Sequence, residues 1–157
     1  LASQAGRESA VLRLFNTSGP GQKYSPFVGV VTLFVKDPLS GEKARIFGDG
    51  QQARDFVHVE DVVSGFVAAM DSAVSGETFN IGTGRATTVN DVYKLVAAHM
   101  NISREPLHAP AVAGELRYSI ADVGKAERIL GYAPLRSLED SIGNVIDEIR
   151  TGTGVSG

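Results

Sequence analysis

Short runs of branched apolar residues alternate along this chain with segments whose apolar residues recur at helical spacing. A chain that switches its period repeatedly between 2 and 3.6 builds strands that helices must cover, which leads to α/β architecture with some parallel sheet. AVLRLF is apolar and branched, and the turn residues NTSGPGQ follow it at once, so it reads as a buried strand ending in a loop. Ser25 and Pro26 supply an N-cap and a first-turn proline for a helix that Phe27, Val30, Val31, Phe34 and Val35 carry towards Pro38. ARIFGDGQQARDFVHV holds two short strand-like runs about Gly48-Asp49-Gly50, whose glycines suit a tight turn. Val59, Val62, Val63, Phe66, Val67 and Met70 mark a second helix, with Glu60 and Asp61 at the end where the helix dipole favours carboxylates. TFNI and GTGRA read as a strand and a loop. Thr88 with Asp91 then opens a third helix, carried by Val89, Val92, Tyr93, Val96 and Met100. EPLHAP is a weaker extended stretch, and Asp122 caps a short helix that Gly131 ends. Ser137 with Asp140 opens a last helix with Leu138, Ile142, Val145, Ile146 and Ile149 inward. Residues 1–150 form the folded portion in this reading, and 151–157 a flexible tail.

Charge and cysteine content narrow the function classes. A formal net charge of −3 offers no basic field for nucleic acid and no polybasic block for an anionic membrane, so neither is expected as a partner. No cysteine means no disulfide, thiolate metal site or cysteine nucleophile, which is compatible with a reducing, cytoplasmic setting. The longest apolar run, FVGVVTLFV, is too short to span a bilayer. The chain opens on Leu1 rather than methionine, and it reads as a piece of something longer.

Several residues could carry chemistry, each with a plainer alternative. Arg54 could present its planar fork to a phosphate, or simply pair with Asp55 at the surface. Asn16 follows a buried strand, where ligands of α/β sheets sit, or it is turn chemistry. Gly82-Thr83-Gly84 resembles part of a phosphate cradle, but Thr87 breaks the G-x-G-x-x-G spacing and an ordinary β-to-α turn is favoured. Phe47 and Phe56 flank the glycine turn and could face an aromatic base or fill the core. His58, His99 and His108 share no ligand spacing; His58 reads as a structural histidine, and no metal site is expected.

Taken together, LRLFNTSGPGQ, IFGDGQQARDFVHVEDVV, FNIGTG and GELRYSIADVGKAERILGY occur in an order and spacing that strongly resemble the C-terminal half of the extended short-chain dehydrogenase/reductases. These are the NAD-dependent nucleotide-sugar epimerases and dehydratases. The resemblance runs from about Ala10 to Ile149 and implies the C-terminal part of a Rossmann-type NAD-binding domain plus a small α/β substrate-binding domain. The family's N-terminal glycine fingerprint has no counterpart here. Its catalytic Tyr-x-x-x-Lys is absent as well, since Tyr24, Tyr93, Tyr118 and Tyr132 are followed four residues later by Val28, Ala97, Asp122 and Arg136. No catalytic residue is therefore expected within the chain, and NAD would be bound mostly by a half the chain lacks.

Residue by residue, the resemblance implies that Phe15 lies near the nicotinamide and Asn16 near the sugar diphosphate. Phe47 would border the nucleotide base, Arg54 would pair with the diphosphate, Phe56 stands where some relatives carry tyrosine, and Glu115 would approach the nucleotide. Where the family often has an arginine the chain has Val112, so a second phosphate-binding cation is missing unless Arg117 substitutes. The implied ligand is a nucleotide sugar and the implied reaction is most like that of a UDP-glucose 4-epimerase, in a homodimer when full length. Two other readings stay open: a naturally short, non-catalytic nucleotide-sugar binding module, and a degenerate remnant kept for association. Without the first half of a doubly wound sheet, apolar edges of AVLRLF and of the first two helices should be exposed.

Overall fold

The structure, a computed structural model, describes residues 9–21 and 29–151. Strand β1 (Ala10–Leu14) runs parallel to β6 (Glu77–Ile81), while β2 (Asn16–Ser18) runs parallel to β5 (Phe56–His58). Between the members of these pairs lie helices α1 (Val30–Leu39) and α2 (Val59–Asp71) and the short strands β3 (Arg45–Phe47) and β4 (Ala53–Arg54). The chain continues through β7 (Thr87–Thr88), α3 (Val89–Met100), β8 (Leu107–Ala109), β9 (Tyr118–Ser119), α4 (Gly124–Leu130) and α5 (Leu138–Thr151). β3 pairs in parallel with β8, and β4 lies between an antiparallel β7 and a parallel β9.

Two apolar clusters hold these elements. In the larger, Phe34 and Val35 of α1, Val92, Tyr93 and Val96 of α3, and Ile142, Val145 and Ile146 of α5 close over Ile46 and Phe56. Phe34 meets the Tyr93 ring edge-on at 5.4 Å. In the smaller, Val57, Phe79 and Ile81 from the parallel strands meet Val62 of α2, Ala126 of α4 and Tyr132. The Tyr132 hydroxyl donates to the Gly82 carbonyl at 2.9 Å, and burial pushes its pKa up.

The helix starts follow the expected capping chemistry. Thr88 Oγ1 accepts from Asp91 N, and Ser137 and Asp140 bond reciprocally, with Ser137 N donating to Asp140 Oδ2 and Asp140 N to Ser137 Oγ. Asp122 acts one place further out than an N-cap, its Oδ1 accepting from Gly124 N, and Gly131 ends α4 in the left-handed region. His58 is structural as expected: it is buried at the α2 N-cap, and its Nδ1 accepts from Glu60 N.

The first helix differs from expectation at its C-terminus. It continues through Pro38 to Leu39, because a proline in the final turn forfeits a single backbone bond and the chain then closes through Ser40 and Gly41 amides onto Lys36, Asp37 and Pro38 carbonyls. Ser25, Pro26 and Phe27 lie outside the described residues. In α2 only part of the apolar series turns inward. Val62 is buried and Gly65 lies against Ile81, whereas Val63, Phe66, Val67 and Met70 are exposed, Met70 by 82%. Val11 and Leu14 of β1 are exposed as well, and Phe66 and Met70 share a shallow cleft with Ala10 and Leu12. Among the described residues, the sheet and its helix thus carry an exposed apolar face.

Candidate functional site

A cleft of about 500 Å³ opens beside the larger cluster, whose Ile46 and Val89 line it, and four of the six residues singled out in the sequence line it too: Asn16, Phe47, Arg54 and Glu115. Each is placed by its element. Asn16 opens β2 opposite Phe56, its amide N–H donating to the Asp55 carbonyl at 3.0 Å. Phe47 ends β3, 41% exposed, with its carbonyl held by the buried Gln52 side chain at 3.0 Å and Gly48 N bonded to the Ala109 carbonyl. The following turn needs Gly50: its φ is +71°, and a Cβ there would stand 2.1 Å from Asn90 Oδ1. Asn90 itself ties the turn to the start of α3, through its N–H to the Gly50 carbonyl and its Nδ2 to the Asp49 carbonyl.

Strand alternation decides the roles of Arg54 and its neighbours. Ala53 is buried, Arg54 turns to the cleft and Asp55 turns away from it. Arg54 Nη1 donates to the Leu116 carbonyl at 2.8 Å and to the Ala53 carbonyl at 2.9 Å, and Nη2 meets Glu115 Oε1 at 3.2 Å. The pair is partly shielded, with 18% of the Arg54 side chain exposed. A surface Arg54–Asp55 pair is therefore not what forms. The arginine's partner is Glu115, 61 positions along the chain.

Asp55 has a different task, which its sequence context does not reveal. It is fully buried, and its carboxylate accepts from Thr83 N, Thr83 Oγ1, Gly84 N and Ala121 N at 2.6–3.1 Å. The Gly82-Thr83-Gly84 turn is thus an anion cradle already filled by a side chain of the same protein. A Cβ on Gly82 would sit 2.6 Å from Asp55 Oδ2, so the carboxylate needs glycine beside it.

The remaining predicted residues lie elsewhere. Phe56 is packed in the larger core cluster and does not line the cleft, because the run Asp55–His58 is buried on both faces. Phe15, at the end of β1, is half-buried, bonds through its N–H to the Ile81 carbonyl and also lies outside the cleft. Arg117, the candidate second cation, is engaged: both its Nη atoms grip the Asp49 carboxylate at 2.9 and 3.0 Å, and this fork holds the Asp49 pKa below the usual carboxylate value. Sequence reasoning missed Arg45, which lines the cleft from β3. A larger groove, about 720 Å³ and bordered by Tyr93, Lys94 and Arg104, contains none of the six.

Paired parallel strands covered by helices, with a ligand-sized cleft beyond the strand ends, define a partial Rossmann-type domain. The model of the NAD dependent epimerase/dehydratase family matches residues 1–82, and the chain belongs to that family. Over 135 residues it is 36% identical to the UDP-glucose 4-epimerase of Mycolicibacterium smegmatis, covering 86% of this chain and 43% of that protein. The UDP-glucose 4-epimerase of Thermotoga maritima, solved with UDP-glucose, superposes with a TM-score of 0.87 at 40% identity over 97% of this chain and 49% of its own. The UDP-glucuronic acid 4-epimerase of Bacillus cereus, solved with UDP-glucuronic acid and NAD, gives 0.85 at 30% identity over 96% of this chain and 48% of its own. The chain spans about half the length of these relatives. Among the described residues no helix is long and apolar enough to cross a membrane.

Proposed function

We propose that this chain is the substrate-binding portion of an NAD-dependent nucleotide-sugar epimerase or dehydratase, most like a UDP-glucose 4-epimerase. Residues 1–150 form that portion and 151–157 its tail, and the intact protein carries the catalytic tyrosine–lysine pair in a half outside the chain and works as a homodimer. The convergence of Asn16, Phe47, Arg54 and Glu115 on one cleft is the observation that carries this reading. Phe47 takes the face of the base, the Arg54 guanidinium takes the diphosphate, Glu115 approaches the nucleotide, and Asn16 reaches towards the sugar end. Holding the unreactive nucleotide this way uses remote binding energy to position the sugar.

The described residues do not, in this reading, form a complete site for NAD. Its pyrophosphate needs free backbone N–H groups at a glycine turn, and those of Thr83 and Gly84 are taken by Asp55. Phe15 is the one residue of this chain assigned to the cofactor's side, so the chain alone is expected neither to bind NAD tightly nor to turn over. The test compares the intact gene product with the 157-residue chain for interconversion of UDP-glucose and UDP-galactose. The reading predicts turnover by the intact protein and none by the chain. Turnover by the chain alone would overturn it, and an intact protein that binds UDP without any turnover would favour a non-catalytic binding module.

A further inference from the structure

Among the described residues the cleft contains two guanidinium groups and one carboxylate, and their pairings are unequal. Arg54 shares its guanidinium among three acceptors, two carbonyls and Glu115, so its single charge is already partly answered within the protein. Arg117, beside the neighbouring pocket, is bidentate to Asp49. Arg45 differs from both. It sits two positions before Phe47 in β3, on the same strand face, while Ile46 between them points into the core at 1% exposure. Its side chain is exposed, lines the cleft, and has no hydrogen-bond or ion-pair partner among the described residues.

We propose that Arg45 is an anion-binding residue of this cleft, supplying the second positive charge that a nucleoside diphosphate requires. The inference rests on the nucleotide-binding reading above. A diphosphate carries more than one negative charge, and a guanidinium already shared with a carboxylate leaves much of it unanswered. An unpaired guanidinium facing the same space answers the rest, with donors set in a fixed planar fork. Val112 and Ala113, which also border the cleft, add no charge, so among the described residues Arg45 and Arg54 are the cations of its wall. The position of Arg45 beside Phe47 places this charge next to the aromatic ring, which suits a ligand with a base and an adjacent anionic group.

Titration of the intact protein with UDP, comparing wild type with Arg45→Gln and Arg45→Lys, tests this. Arg45→Gln is expected to weaken UDP binding about tenfold, as the loss of one charge-assisted contact, with Arg45→Lys recovering most of that loss. The gap between wild type and Arg45→Gln is expected to shrink in about 1 M salt, where screening acts within about 3 Å. Unchanged UDP affinity in Arg45→Gln overturns the inference. So does a lysine variant no better than glutamine, or a gap indifferent to salt, since both would mean shape rather than charge. UDP binding that depends on Arg54 but not on Arg45 sinks this inference alone, whereas no UDP binding by the wild type sinks the nucleotide-binding reading with it.

Discussion

Replacing Asp55 by alanine is expected to cost about 3–5 kcal/mol of stability, a large fraction of the roughly 5–15 kcal/mol that holds a typical domain together. The carboxylate accepts from three backbone N–H groups and one hydroxyl in a fully buried place. Truncation leaves those donors without partners where water does not reach them, and each orphaned donor costs about 1–3 kcal/mol. The damage would spread, because this one side chain joins the β4–β5 segment to the turn after β6 and to Ala121 after β9. Asp55→Asn keeps the size and one acceptor but turns an NH2 group towards the backbone donors, so a smaller loss in the same direction is expected. Urea unfolding of the intact protein measures both, and an unchanged midpoint in Asp55→Ala would mean that the cradle carries no net stability.

Removing Arg54 should act on ligand rather than on fold. Arg54→Ala is expected to weaken UDP binding by about 1.5–3 kcal/mol, roughly 10- to 100-fold, the range for a charge-assisted contact. Two effects add in that variant: the guanidinium is lost, and Glu115 is left in the cleft without its counter-ion, where it repels a diphosphate. Arg54→Lys should recover only part of the affinity, because an ammonium cannot span the Leu116 and Ala53 carbonyls and still present a second edge. Calorimetric titration of the intact protein checks this, with thermal unfolding as the control. Equal UDP affinity in wild type and Arg54→Ala would remove Arg54 from the binding site.

Much of the fold was legible because its signals are local. The Thr88–Asp91 and Ser137–Asp140 spacings announce helix starts that need only neighbours to form, and the inward series of α3 and α5 follows from one period. The pairings were not legible. β4, β7 and β9 hold two residues each, too short for any alternation to register, and β3 meets β8 across some 60 positions. The periodicity of α2 identified a helix but could not say that half its apolar face stays largely exposed, since that depends on what else packs against the sheet.

At the site the same division holds. Family resemblance carried Arg54 and Glu115 to one place, but only the structure shows that they bond to each other. Asp55 looked like the surface partner of Arg54 because adjacent residues in a strand are neighbours in sequence while pointing to opposite faces. Phe56 read as a ligand contact and is core, because β5 is buried on both sides and alternation loses its meaning there. Arg45 was hidden inside ARIF, where a single cation in an apolar run looks like an edge decoration until β8 fixes which face it takes.

The most direct measurement is a crystal structure of the intact gene product with UDP bound. The account predicts the diphosphate against Arg54 and Arg45 and the uracil ring against Phe47, in the cleft that Asn16 and Glu115 also border. UDP seated in the groove of Tyr93, Lys94 and Arg104 instead, with the Arg54 cleft empty, would contradict it.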